Sequence, residues 1–169
     1  MALQLSEVLS DPAGVADYLV CGAGLYGVTS ATGRTGAGGT AVLEVAFRPL
    51  PVLADAGFPT EEVRISVLPD GENLAFPEGP FGRTFKHRNA LPFASLCLEY
   101  ADDPALRWAW RDGFEEYVTR VYRHLLFEEK WRRTGTWPGE DAPHGRPRAP
   151  YPIQSLRLQR EMLRWGRAS

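Results

Sequence analysis

Two stretches of strict alternation limit what this chain can fold into. Leu43, Val45 and Phe47 alternate with Glu44, Ala46 and Arg48, and Val63, Ile65 and Val67 alternate with Arg64 and Ser66. Successive side chains of a strand leave opposite faces, so a period of two builds a ribbon with one apolar and one wetted face. An antiparallel sheet of this kind needs a cover on its apolar side. The cover is written further along. Phe114, Tyr117, Val118, Val121, Leu125 and Leu126 recur at helical spacing and predict a helix packed on the sheet. Gly113 is expected to split a short turn from this helix. Gly135 is expected to end it as a C′ residue, with Arg132 and Arg133 complementing the helix dipole. Asp112, Glu115, Glu116 and Arg120 fall off the stripe, and His124 reads as outer face, hence surface.

The remaining elements follow from punctuation. Residues 3–10 predict a short helix stopped before Asp11-Pro12, with Leu5, Val8 and Leu9 on one face. Tyr18–Cys21 and Leu25–Thr29 read as two strands about a tight Gly22-Ala23-Gly24 turn, with Cys21 packed in the sheet. Pro49, Pro51 and Pro59 mark a loop, and Pro69-Asp70-Gly71 ends a fourth strand. Four strands joined in sequence predict an α+β fold with a four-stranded antiparallel meander and flanking helices. Residues 70–86 read as a long connection that Phe76, Phe81 and Phe85 pack down over the sheet edge. Asp103 can cap a helix and Pro104 can take its first position. Trp131 and Trp137 are expected to fill core or pocket wall. Ile153 to Arg167 predicts a terminal helix with Leu156, Met162 and Leu163 on its apolar side. Arg157, Arg160, Arg164 and Arg167 form its basic ridge, read as a solvated face or a dock for an acidic partner, with nucleic acid less favoured because it calls for a broader basic surface.

Several function classes find little support. A chain of 169 residues with net charge −2 has room for one domain, taken as residues 1–169, and no global attraction for nucleic acid or membrane. With no signal peptide and no apolar run near membrane length, a soluble cytoplasmic protein is expected. Two cysteines make no disulfide framework, and neither has neighbours at metal-ligand spacing, so no metal or cofactor is expected. Gly22-x-Gly24-x-x-Gly27 spells a dinucleotide fingerprint, but strand and turn residues follow where a helix must begin. Gly33 to Thr40 misses the phosphate-loop pattern at Gly39, where lysine is required, and reads as a hairpin connection.

The chemistry concentrates in His87-Arg88-Asn89-Ala90-Leu91-Pro92-Phe93-Ala94-Ser95-Leu96-Cys97-Leu98-Glu99. A thiol is the strongest nucleophile available to this chain, and it needs a local push toward ionisation. A carbonyl under attack needs a donor aimed at the developing oxyanion, which an asparagine amide can supply without being a base. A histidine can act as a base or hold a loop through its ring. His87 can meet Cys97 only if the chain turns back between them, and Leu91-Pro92 makes a place for that turn. A cysteine between leucines can also be a small buried hydrophobe.

His87-x-Asn89, with the cysteine ten positions after the histidine, resembles the His-Pro-Asn…Ile-Cys-Leu-Asp signature of ubiquitin-conjugating enzymes. Leu96-Cys97-Leu98-Glu99 is a conservative version of its second half. Arg88 stands where the signature has proline, and Phe93-Ala94-Ser95 where it has Asp-Gly-Ser. These departures are similar to the divergent bacterial branch found in antiphage operons. Trp131-x-x-Thr134-Gly135-x-Trp137-x-Gly139, then His144, is similar to that branch too. The resemblance covers about residues 15–145. It implies a ubiquitin-conjugating-like (UBC) fold and a transferase carrying an acyl group as a thioester on Cys97. Asn89 would steady the loop or donate to the oxyanion, His87 would lock the loop, and His144 would be a further site member. The implied donor is a ubiquitin-like protein or a cGAS-like nucleotidyltransferase, with a ubiquitin-activating-like enzyme upstream and a role in antiviral defence. Two rivals stay open. One is a hydrolase pairing Cys97 with His144, the other an inactive UBC-fold binding module with Cys97 buried.

Overall fold

The computed structural model describes residues 2–79, 83–89, 95–98 and 107–138. The fold is α+β: an open sheet of four antiparallel strands in the order β1-β2-β3-β4, with helices flanking it. The strands are β1 (Val28–Thr35), β2 (Ala41–Phe47), β3 (Glu61–Val67) and β4 (Asn73–Glu78). The alternation expected for the central pair holds. Leu43 faces Ile65 and Val45 faces Val63 in register, and all four side chains are buried. Glu44 and Glu62, on the opposite face, are exposed.

Two sequence expectations fail at the ends of the sheet. Tyr18–Cys21 is not a strand but the end of α2 (Pro12–Cys21). Asp11-Pro12 does not merely stop the first helix, α1 (Leu5–Ser10); it starts the second. The Asp11 carboxylate accepts the Gly14 N–H at 2.9 Å, and Pro12 takes the first helical position. Val15, Ala16 and Leu19 then share one buried face, while Cys21 is exposed at the helix end. Gly22 caps α2 and strand β1 begins at Val28, so no helix starts after the glycine fingerprint. β1 also runs further than expected, through Thr35, and only Gly36–Thr40 connects it to β2. Its interior residue Gly33 has a steric reason: a Cβ there would lie 1.9 Å from the Pro12 carbonyl oxygen. α2 can sit on β1 only because that side chain is missing.

The second failure is β4, which lies within the stretch read as a long connection. Pro77 hides it. The Ala75 carbonyl faces away from β3 and accepts the Leu96 N–H at 2.8 Å. Backbone groups two residues apart point to the same side, so the Pro77 nitrogen also faces away from β3, where a missing N–H disturbs no ladder bond. With β4 in place, residues 79–86 are all that separate the sheet from His87. The apparent insertion thus contains the fourth strand.

The proline-marked loop between β2 and β3 contains a short helix, α3 (Pro51–Asp55), with Pro51 at its first position. The long helix α4 (Phe114–Thr134) lies against the core through Phe114, Tyr117, Val118, Val121 and Leu125, as the stripe predicts, with Leu126 half-buried. Gly113 precedes it at φ 83° after a single 3₁₀ turn, Trp110–Asp112. Gly135 ends it in the left-handed region and donates its N–H to the Trp131 carbonyl at 2.7 Å. His124 corrects the sequence reading: it is buried, not on the surface. Among the described residues no helix is long and apolar enough to cross a membrane. The expected cap and proline at 103–104, His144 and the helix at 153–167 lie outside the described residues.

Candidate active site

The chain does turn back between His87 and Cys97. The Cys97 N–H donates to the His87 carbonyl at 3.0 Å, and the Asn89 N–H donates to the Ser95 carbonyl at 2.9 Å. Arg88 and Leu96 therefore lie opposite each other as one antiparallel bridge. Leu96 is buried in the core, and its N–H to Ala75 hangs the ribbon on the outer edge of β4. Leu98 packs against the core as well. The two leucines anchor the backbone on either side of the thiol, and Cys97 itself is half-buried.

Asn89 spends its side chain on this ribbon. Its Nδ2 donates to Ser95 Oγ at 2.8 Å and lies 3.4 Å from the Leu96 carbonyl. Ser95 is buried, so the amide ties the two strands of the ribbon together from inside. His87 is buried at 4 % exposure, its ring 4.1 Å from the Trp137 ring and 6.2 Å from that of His124. Trp137 is thus a wall, packed also on His124 at 5.5 Å and Phe127 at 5.6 Å.

The sequence reading missed Glu128. Its side chain is completely buried on α4. Oε2 accepts the Lys86 N–H and Oε1 the His87 N–H, each at 2.7 Å, and His124 Nε2 lies 3.4 Å from Oε1. Burial pushes the carboxyl pKa up, but the nearby His124 imidazole and the bonds from the two backbone amides outweigh it. Together they hold Glu128 below the ordinary carboxylate value. A signal existed in the sequence. Position 124 lies three residues after Val121 and position 128 three after Leu125, so both continue the apolar stripe of α4. A charged residue on a buried stripe needs partners, and these were the residues to ask about.

A second charged cluster frames the approach to His87. Arg83 clasps both carboxylate oxygens of Glu61, at the start of β3, and lies 3.4 Å from Glu129 Oε2. Arg132 reaches Glu129 Oε2 at 2.8 Å and donates to the Thr84 carbonyl at 3.1 Å. Arg133 donates to Glu129 Oε1 at 2.6 Å and to the Ala56 carbonyl at 2.6 Å. Phe85 sits among three guanidinium groups, with Arg88 closest at 4.2 Å from the ring centre, then Arg132 at 5.1 Å and Arg83 at 5.4 Å. Burial pulls the Arg88 pKa down, opposed by the charge of Glu128 and reinforced by that of Arg83. This cluster pins the end of α4 to β3 and to the segment leading into the ribbon.

Of the sequence-predicted site residues, His87, Asn89 and Cys97 are brought together, and His144 lies outside the described residues. Among the described residues no group of three or more His, Cys, Asp or Glu side chains is placed to hold a metal ion. No family model matches this sequence, and no curated protein is similar enough to count as a relative.

Proposed function

We propose that this protein is a ubiquitin-conjugating-like acyltransferase with a UBC-like fold and Cys97 as its nucleophile. The observation that carries the reading is the folded-back ribbon. It pairs the backbone of the signature histidine with that of a half-buried cysteine, and the signature asparagine with Ser95 two residues earlier, at the outer edge of a four-stranded meander and ahead of a long helix. A structural cysteine would more often be sealed in the core, as Leu96 beside it is.

In the proposed reaction the Cys97 thiolate attacks the carbonyl carbon of a donor's C-terminus, activated as an adenylate by a separate ATP-using enzyme. The C–S bond forms as the bond to AMP breaks. An acceptor amine then attacks the thioester; C–N forms, C–S breaks and the amine proton passes to solvent. Asn89 holds the ribbon through Ser95, and its longer bond to the Leu96 carbonyl is the one it can release toward an oxyanion. His87, packed against Trp137 and His124, is a structural lock. The donor proposed is a ubiquitin-like protein or a cGAS-like nucleotidyltransferase, and the setting bacterial antiviral defence.

The test is to combine the protein with candidate donor, activating enzyme and ATP, and to separate the products with and without reductant. A reductant-sensitive adduct that Cys97→Ala abolishes is expected, with Cys97→Ser giving a reductant-resistant ester. Turnover of a small ester without such an adduct makes the protein a hydrolase. No adduct, no turnover and a slowly alkylated Cys97 make it a binding module.

A further inference from the structure

We infer that Glu128 positions Cys97 through the backbone of His87, an inference that rests on Cys97 being the reacting thiol. The two groups are joined by a short relay. Glu128, on α4, accepts the N–H of His87, and the carbonyl of the same residue accepts the N–H of Cys97. The Lys86 N–H, on the second carboxylate oxygen, keeps the preceding peptide from rotating. Two successive amides converging on one anion form a cradle that fixes the backbone at both peptides. Leu96 hangs the ribbon on β4, and Glu128 holds its other strand to the helix.

The choice of side chain fits a positioning role. A completely buried carboxylate is costly, and apolar groups of like volume often stabilise more than a buried charge. An apolar residue at 128 would leave the Lys86 and His87 amides without their acceptor. A glutamine could accept one amide through its oxygen but would turn its NH2 group against the other. Glu129 is an internal comparison one residue along the same helix. Its partners are the side chains of Arg83, Arg132 and Arg133, and none of them belongs to His87–Asn89 or Ser95–Leu98.

The experiment uses the full chain with Cys21→Ser, so that alkylation by iodoacetamide reports Cys97 alone. Its rate is followed across pH, with amide hydrogen exchange beside it. Glu128→Gln is expected to move the pH profile of alkylation. It should speed exchange of the Lys86, His87 and Cys97 amides by about tenfold, the loss of one charge-assisted hydrogen bond. Glu129→Gln is expected to leave both readouts at the parent values. The inference is overturned if Glu128→Gln changes neither readout, or if Glu129→Gln changes them equally. Should Glu128→Gln fail to fold, the parent protein decides: Lys86 and His87 amides exchanging at free-peptide rates overturn it, and joint protection with Cys97 supports it. Neither readout needs an acyl donor. A positive result here with no thioester adduct refutes the transfer reading and leaves the relay standing.

Discussion

The two ends of this molecule are held by different physics. At β1 the fit is one of shape: α2 lies so close that Gly33 has no room for a methyl group, and Val15, Ala16 and Leu19 are buried with apolar neighbours. At the far end of α4 the fit is one of charge. Glu61, Glu128 and Glu129 are buried or nearly so, and each is met by arginines, amides or an imidazole. Apolar packing is non-directional and follows area removed from water. Buried carboxylates are directional and contribute little net stability. The difference shows where each kind of force is used. Shape holds the sheet's first strand, where only burial is needed. Charge surrounds the ribbon that carries Cys97, where backbone orientation matters.

The contrast can be broken in the dry core first. Phe47 is 1 % exposed and stacked on Tyr122, and Phe47→Ala is expected to cost about 3–5 kcal/mol, measured by urea unfolding. Gly33→Ala is expected to cost about 1–3 kcal/mol by overpacking α2 against β1, and a neutral result would show that this helix can shift without loss. The Gly33→Ala cost is a clash with the Pro12 backbone and should not vary between pH 4 and 7, scanned by thermal melts.

The charged end should behave in the opposite way. Glu128 and Glu129 are both held below the ordinary carboxylate value. For Glu129 burial raises the pKa, and bonds from Arg133 and Arg132 outweigh it. Groups with a depressed folded pKa lend stability that is fully present above the unfolded value. That stability is lost as pH falls through the folded one. Acidification below the normal carboxylate range is therefore expected to expose Trp137 and loosen the ribbon before the sheet melts. Tryptophan fluorescence followed beside far-ultraviolet dichroism would detect it, and a single coincident transition would refute the separation. The smallest effect is expected at Asn89→Ala, about 0.5–1.5 kcal/mol for the lost bond to Ser95, with adduct formation falling far more than stability. Equal loss in both would make Asn89 a stability residue only.

What could be read in advance follows from the range of the forces involved. The central strands and the stripe of α4 are local periodicities, legible because each buried face repeats within a few residues. The ends of the sheet were harder. β1 turns only small, half-buried residues, Ala31 and Gly33, toward the core and so shows little alternation, while α2 offers a short apolar run, Tyr18-Leu19-Val20, that mimics a strand. β4 carries a proline that only an edge can tolerate, and edges are assigned by neighbours. The site divides in the same way. His87, Asn89 and Cys97 were visible as a spaced motif. His124 was read as solvated although its position continues the stripe of α4, because a polar side chain on a buried face shows its role only through the partners it meets.

The chain alone thus determined that a one-sided antiparallel sheet would form, that a helix would cover it, and that one thiol would have an amide and an imidazole nearby in sequence. Tertiary structure decided which carboxylate governs that neighbourhood. Glu128 meets the His87 amide across 41 residues, and a pairing of that range leaves no local period to read. It exists only after sheet, ribbon and helix have closed on one another and removed the water that would otherwise solvate the charge.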